Sequence, residues 1–147
     1  MGIDDYFMSI AILASTRSTC IRRAVGCVAI NKLNHIIATG YNGSPRGTPH
    51  CIDVPCEGAL FKSGEGLNKC QSAHAEINCL LQCPDVNDIK KIYVTTSPCS
   101  ECIKALCNTE VEEIVYFLVY SHEYPVYIKM RQHNNEFLRN LHKGVGR

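Results

Sequence analysis

The feature that most constrains the fold is a strand–helix–strand pattern in residues 91–120. The segment KIYVTT (91–96) has the composition of a strand, and CSECIKALCNT (99–109) places apolar side chains at helical spacing. The segment EEIVYFLVY (112–120) is apolar almost throughout, which is typical of a strand buried on both faces. Two strands joined by a helix over about thirty residues form a right-handed βαβ unit, so the pattern predicts parallel pairing.

The remaining periodic segments predict a hairpin and further helices that would cover this unit. Residues 3–15, 73–83 and 126–142 each have a helical pattern of apolar side chains. Residues 24–30 and 35–41 have the pattern of strands, and the short polar segment between them predicts a hairpin. The order α-β-β-α-β-α-β-α therefore predicts a three-layer α/β fold, with a mixed sheet of about four to five strands and helices on both faces.

Length and composition are those of one globular domain, which we place at residues 1–147. Hydrophobic residues make up 46% of the chain, which excludes a disordered protein, and no apolar run approaches the ~20 residues of a membrane span. The formal net charge of +1 offers no broad attraction for nucleic acid. The N-terminal segment carries Asp4 and Asp5 where a secretory signal has positive charge, so we expect a cytoplasmic protein.

A long segment, residues 42–71, interrupts the periodic pattern and is rich in glycine, proline and cysteine. A loop of this length inside a compact domain is expected to be functional or to be held in place by another feature. The chain contains 10 cysteines and no sign of export, which favours metal ligation and buried thiols over disulfide bonds.

Two short motifs, AHAE and PCSEC, carry the residue types of a metal site. Cys99 and Cys102 are three apart at the start of a predicted helix, where the helix dipole favours the thiolates that bind metal. Side chains two apart point to nearly opposite sides of a regular helix. His74 and Glu76 can therefore face one site only if they lie at the start of their helix.

The number of ligands indicates a catalytic zinc site. A structural zinc takes four protein ligands, whereas His74, Cys99 and Cys102 are three and leave one position for water. Glu76 would then be the base beside that water and not a ligand. A Cys-x-x-C pair alone is also typical of a redox pair or half of a zinc ribbon, and His-x-Glu alone of a helix start. The joint pattern favours catalytic zinc, because a redox pair would need neither His74 nor Glu76.

These motifs resemble those of the zinc-dependent cytidine and deoxycytidylate deaminases, whose signature is H-x-E with P-C-x-x-C. The resemblance covers roughly residues 5–125 and is closest to the deoxycytidylate branch, on the segments STCIRRAVGCVAI, GYNGSPRG, HC, AHAEINCL and TTSPCSEC. It implies a cytidine-deaminase-like fold and the hydrolysis of dCMP to dUMP, the thymidylate precursor, and ammonia. Zinc-activated water would attack C4 of the base, and Glu76 would protonate N3 and then the departing ammonia.

The resemblance also implies a set of substrate-binding residues. The backbone around Ser97 and Pro98 would hold the edge of the pyrimidine, and Ala75 would line the base pocket. Asn42 would bind the sugar hydroxyl and the base. Its sequence context alone favours a turn residue instead, because YNGSP has turn chemistry.

A phosphorylated substrate needs a cation, and three arginines are candidates: Arg22, Arg23 and Arg46. A guanidinium suits phosphate because it can donate two parallel hydrogen bonds, but each arginine is also consistent with a solvated surface charge. Tyr120 or Tyr124, just past the last strand of the βαβ unit, would stack on the base or pack in the core.

A second, structural zinc would explain how the long loop is held in place. Some family members carry such an ion with cysteines at the positions of Cys20 and Cys51, and the further ligands would come from Cys56, Cys70 or His50. The alternative is scattered buried thiols, which are common. We interpret the remaining cysteines outside the PCSEC motif as small core residues: Cys27, Cys79, Cys83 and Cys107.

The family further implies regulation and assembly. One region is used by family members for activation by dCTP with Mg²⁺ and for inhibition by dTTP. In this chain it comprises Gly40, Tyr41, Asn42 and Gly43, with Arg46 nearby. Relatives are homo-oligomers, so a hexamer or a dimer is expected.

The C-terminal residues depart from the family pattern. Family members often end with a fifth strand, whereas residues 126–142 predict a helix and residues 142–147 predict a frayed tail. We therefore expect the fifth strand to be missing and the cover over the nucleotide to differ.

Two other functions compete with dCMP deamination. One is a different deaminase on the same fold, acting on a tRNA adenosine, a nucleoside or a free base, although the low net charge disfavours RNA. The other is a non-catalytic binding or redox module stabilised by zinc, which would have a closed four-ligand site.

Overall fold

The computed structural model describes residues 1–20, 22–55, 72–120 and 128–145. The described residues form α1 (Ile3–Ser15), β1 (Gly26–Ile30), β2 (Ile36–Tyr41), α2 (Ala75–Gln82), β3 (Lys91–Thr96), α3 (Ser100–Cys107), β4 (Glu113–Leu118), β5 (Lys129–Gln132) and α4 (Glu136–Val145). A short 3₁₀ turn at Val86–Asp88 precedes β3. None of the helices in these ranges has the length and hydrophobicity needed to cross a membrane.

The five strands form one mixed sheet in the order β2-β1-β3-β4-β5. Strand β1 pairs antiparallel with β2 and with β3, whereas β4 pairs parallel with β3 and with β5. The predicted hairpin and the predicted βαβ unit are therefore confirmed, as is the three-layer α/β fold. The hairpin turn contains Asn34 at a φ of 62°, a left-handed conformation that asparagine tolerates better than most residues.

Side chains that alternate along the central strands give the sheet two apolar faces. On β1, Val28 and Ile30 pack with α1 and α4, whereas Cys27 and Ala29 pack on the side of α2. The core on the α1 and α4 side is built from Phe7, Met8, Ala11, Ile12, Val28, Ile30, Tyr93, Val115, Phe117 and Leu138. The second core includes Cys79 of α2 and Leu106 of α3, so it fixes the two helices that carry the metal motifs.

Gly40 lets the end of β2 approach the start of α2 closely. A Cβ atom at this position would collide with the carbonyl of Ala75 and the amide of Cys79. Any other residue would therefore push α2 away from the sheet. This close packing places the beginning of α2, and with it His74, at one edge of the sheet.

Two expectations for the C-terminal residues are wrong. Residues 126–142, predicted as one helix, contain strand β5 and only the first part of α4, and the fifth strand is present. The predicted frayed tail is helical as far as Val145. The sequence KMRQ has no strand-like apolar alternation. Among the described strands β5 pairs with β4 alone, and Arg131 of β5 hydrogen-bonds Glu113 of β4. Pairing with β4 therefore decides the conformation of this segment.

Candidate metal centre and active site

The first turns of α2 and α3 bring three metal-binding side chains together. His74 is the N-cap residue of α2 and Cys99 that of α3, and both have extended backbones, with ψ of 151° and 166°. Cys102 lies in the first turn of α3. The Nδ1 atom of His74 lies 3.2 Å from Sγ of Cys102 and 3.4 Å from Sγ of Cys99.

These separations fit a tetrahedral zinc ion. Ligand atoms at about 2.0–2.3 Å from zinc lie about 3.5 Å apart in that geometry. In the structure, the ligand atoms of His74, Cys99 and Cys102 all lie within 4.8 Å of one another. Among the described residues these three form the ligand set for zinc, and none of the others fills a fourth position, which water or substrate would take.

The electrostatics of the two thiols also suit a cation. Hydrogen bonds from the Cys102 thiol and from His74 lower the pKa of Cys99 to about 4, although burial acts in the opposite direction. The pKa of Cys102 is raised, first because its thiol donates to Cys99 and then because it is buried. A metal ion that binds both sulfur atoms as thiolates would displace the proton of the Cys102 thiol.

Glu76 places a buried carboxyl group beside these ligands. Its side chain is 4% exposed, and burial raises its pKa above the ordinary value, although a hydrogen bond with Cys102 and the charge of His74 act to lower it. A carboxyl group with a raised pKa exchanges protons more readily near neutral pH. The extended backbone of His74 explains how residues two apart share one site, because the histidine precedes the first regular turn of α2.

The turn between β3 and α3 holds Cys99 against the end of β4. The Ser97 amide donates to the Leu118 carbonyl at 2.8 Å, and the Ser97 hydroxyl accepts from the Tyr120 amide at 2.7 Å. Pro98 and Ala75, the other residues expected around the base, are also buried. The structure thus places these predicted residues beside the metal ligands.

Asn42 is buried, and its side-chain amide makes two hydrogen bonds with the backbone of the segment that precedes β1. Its Oδ1 accepts from the Val25 amide at 2.8 Å, and its Nδ2 donates to the Arg23 carbonyl at 2.7 Å. This geometry supports the alternative of a turn-stabilising residue, and binding of the sugar stays a prediction.

The neighbouring Arg23 lies with its guanidinium carbon 3.8 Å from the centroid of the Tyr120 ring.

The remaining predicted site residues differ in burial. Arg22 and Tyr41 are half-buried, Gly43 is buried, and Arg46 and His50 are exposed. Cys56, Cys70 and Tyr124 lie outside the described residues.

The cysteines predicted to be core residues differ in burial. Cys27 and Cys79 are fully buried, as predicted, whereas Cys83 is half-buried. The prediction for Cys107 is wrong, because this thiol is exposed. Cys107 is the last residue of α3 and lies on its exposed face, whereas the preceding Leu106 lies on its buried face. Neighbouring residues in a helix point in different directions, so the burial of Leu106 does not extend to Cys107.

One residue near the site was missed by sequence reasoning. His142 of α4 lies edge-on to the Phe117 ring, with 5.5 Å between ring centroids, and faces a cavity shared with Arg23 and Tyr120. The sequence pattern places it at the boundary between the predicted helix 126–142 and the predicted frayed tail. The helical spacing of Leu138, Leu141 and Val145 was the signal that places His142 within a helix.

The chain belongs to the cytidine and deoxycytidylate deaminase family. The family's zinc-binding region matches residues 1–118, which include all three metal ligands and Glu76. Strand β5 and helix α4 lie beyond that match.

Relatives from phage and yeast carry the name deoxycytidylate deaminase. The protein of Mycobacterium phage D29 is 38% identical over 120 residues, which cover 77% of this chain and 92% of the relative. That of Schizosaccharomyces pombe is 38% identical over 122 residues, which cover 80% of this chain. The chain spans only 38% of the length of that yeast protein.

A solved structure confirms the fold. The dCMP deaminase of cyanophage S-TIM5, in its apo form, superposes with a TM-score of 0.68 over 89% of this chain and 97% of its own. The two sequences are 22% identical. The same cyanophage protein has also been solved in complex with dCMP and dUMP, with a TM-score of 0.65 to this chain.

Proposed function

We propose that this protein catalyses the zinc-dependent hydrolytic deamination of dCMP to dUMP and ammonia. The observation that carries the proposal is the buried Glu76 carboxyl beside a metal site to which the described part of the chain contributes three ligands and no fourth. A closed binding site would need a fourth protein ligand, and a redox pair would not need the carboxyl group. The names of the phage and yeast relatives support dCMP as the substrate.

The residues of the site divide the chemistry between them. His74, Cys99 and Cys102 would hold the zinc ion, which when bound supplies a Lewis acid and lowers the pKa of a water molecule to about 7. Glu76 would take one proton from that water and deliver it to N3 of the cytosine ring as the water oxygen adds to C4. It would then carry the remaining hydroxyl proton to the amine, which leaves as ammonia when the C4–N bond breaks. Ala75 and the backbone of Ser97 and Pro98 would hold the base, because these groups border the metal ligands on two sides.

An activity panel tests the proposal and separates it from its rivals. The zinc-loaded protein is incubated with dCMP, CMP, dCTP, deoxycytidine, a free base and a tRNA, and ammonia release is measured. We expect dCMP to have the highest kcat/KM. A preference for a tRNA or an unphosphorylated compound would assign the chain to another deaminase. No release from any compound would favour the zinc-stabilised module.

A second, structural zinc is part of the same proposal. The Ile52 amide donates to the Thr19 carbonyl at 3.1 Å, so the segments that carry Cys20 and Cys51 run side by side, and both thiols are buried. Cys56 and Cys70 are the proposed further ligands, with His50 as the alternative. Elemental analysis should give two zinc ions per chain, and Cys51→Ser should lower that number by one. A single ion in the unmodified protein would contradict this part.

Assembly, regulation and location complete the proposal. We expect a cytoplasmic homo-oligomer, a hexamer or a dimer, activated by dCTP with Mg²⁺ and inhibited by dTTP, and light scattering gives its mass. Effector binding would involve Gly40, Tyr41, Asn42, Gly43 and Arg46. A dCMP titration with and without dCTP and Mg²⁺ checks the regulation, and a hyperbolic curve that dCTP leaves unchanged contradicts it.

A further inference from the structure

A cavity of about 280 Å³ lies at the carboxyl ends of β3 and β4, on the side of α1 and α4. Open α/β sheets bind their ligands outside the carboxyl ends of parallel strands. The wall of the cavity includes Thr16, Arg23, Thr96, Val119, Tyr120 and His142. None of the described residues that line it is acidic.

Aromatic contacts hold the two basic side chains of this wall in place. The guanidinium of Arg23 is stacked on Tyr120 at 3.8 Å, and such stacking orients its planar set of donors. The imidazole of His142 lies edge-on to Phe117 at 5.5 Å. A cavity with two oriented nitrogen donors, and with no carboxylate among its described lining residues, suits an anion.

The cavity lies within the length of one nucleotide from the metal centre. Thr96 on its wall is three residues before the metal ligand Cys99, and three residues span at most about 11 Å. The hydrogen bond from the Tyr120 amide to the Ser97 hydroxyl joins the cavity wall to the turn that leads to Cys99. A base at the metal centre could therefore place a group attached to its sugar in the cavity.

We propose that this cavity binds the phosphate group of the nucleotide substrate, with Arg23 and His142 as its hydrogen-bond donors. The inference rests on the proposed function and extends it to the choice between a nucleotide and a nucleoside. It also assigns a role to α4, which lies beyond the region matched by the family. His142 is in this view a specificity-determining residue.

The test compares substrates that differ only in the phosphate. Steady-state rates with dCMP and with deoxycytidine are measured for the unmodified protein, His142→Gln and Arg23→Gln. We expect KM for dCMP to rise about tenfold or more in each variant, since a hydrogen bond to a charged group is lost, with kcat/KM for deoxycytidine unchanged. Inorganic phosphate should compete with dCMP and lose potency in both variants. The matched control is His35→Gln, which alters an exposed histidine in the β1–β2 turn and should leave both substrates unaffected.

Three results would overturn the inference. An unchanged KM for dCMP in both variants means that the substrate phosphate lies elsewhere. An equal loss with dCMP and deoxycytidine means that the two side chains only maintain the structure. An altered response to dCTP with an unchanged KM for dCMP means that the phosphate belongs to a second nucleotide. If the unmodified protein deaminates none of the cytosine compounds, the proposed function itself has failed, which is distinct from all three.

Discussion

At the scale of single residues, the chemistry of the site depends on where the carboxyl group of Glu76 lies. The side chain is buried, it follows the cap residue His74 by two positions, and it contacts the Cys102 thiol. A buried carboxyl group without a metal nearby would be costly, because desolvation disfavours its charged form. Beside three metal ligands, the same burial raises the pKa of this carboxyl group and so suits it to proton transfer.

The first prediction is that Glu76→Gln binds zinc normally but loses most of its activity. The amide keeps the size of the carboxyl group but cannot carry a proton from water to the ring, so kcat should fall by about 10²–10⁴-fold. Ammonia release and zinc content are measured on the same preparation. Glu101→Gln, an exposed residue in the first turn of α3, is the control and should keep full activity. A loss of zinc together with activity would instead make Glu76 a ligand.

The residues of the metal centre could be predicted because their placement is local. The Cys-x-x-C spacing and the start of each helix already bring the donors to one end of α2 and α3. The contact between Arg23 and Tyr120 could not be predicted in the same way. It joins residues 97 positions apart in the chain and depends on how β1 and β4 lie in the sheet. Sequence patterns indicate such side chains as candidates but do not predict their tertiary contacts.

At the scale of elements, an ion-pair cluster joins the edge strand β5 to β4 and α1. Arg131 donates to Asp4 at 2.9 Å and to Glu113 at 3.2 Å, and the Tyr93 hydroxyl donates to Asp4 at 2.6 Å. Burial alone would raise the carboxyl pKa values, but the hydrogen bonds of Arg131 prevail and lower the pKa of both Asp4 and Glu113. Long-range charge pairing of this kind left no periodic signal in KMRQ, which is why β5 was not predicted.

The second prediction is that Arg131→Met lowers the free energy of unfolding by about 2 kcal/mol at pH 7, since hydrogen bonds to two charged groups are lost. Lowered carboxyl pKa values contribute stability that is complete above the ordinary values of 3.8 and 4.5 and is lost as the pH falls through the folded-state values. The difference between the two proteins should therefore shrink as the pH is lowered below about 4. Urea unfolding at a series of pH values measures it.

The control for this prediction is Lys104→Met, which breaks an exposed pair with Glu101. Exposed pairs of this kind contribute about 0–1 kcal/mol, so its unfolding curve should stay close to that of the unmodified protein at every pH. A difference between Arg131→Met and the unmodified protein that stays constant into acid would show that packing of the long side chain, and not its charge, stabilises β5.

At the scale of the whole molecule, packing against the sheet positions the two helices that carry the metal ligands. Helix α2 is anchored through Cys79 and α3 through Leu106, both fully buried, and Gly40 allows β2 to support the start of α2. The ligands are therefore brought together by the apolar core that α2 and α3 share. The hydrophobic periodicity that builds this core is present in the sequence, so the arrangement of α2, β3, α3 and β4 could be predicted.

The third prediction follows from that arrangement: removing zinc abolishes activity and lowers the Tm, but leaves the secondary structure intact. A ligand that binds only the folded state stabilises it by about 4 kcal/mol at a thousandfold excess over its Kd, so the apoprotein should unfold at a lower temperature. Far-UV circular dichroism, thermal unfolding and ammonia release are measured after chelation and again after zinc is returned. Loss of the helical signal on chelation would contradict the prediction, because it would mean that the ion, and not the shared apolar core, positions α2 and α3. Zinc should restore both Tm and turnover, and with Glu76→Gln it should restore the Tm alone, since that variant keeps the ligands and lacks the proton carrier.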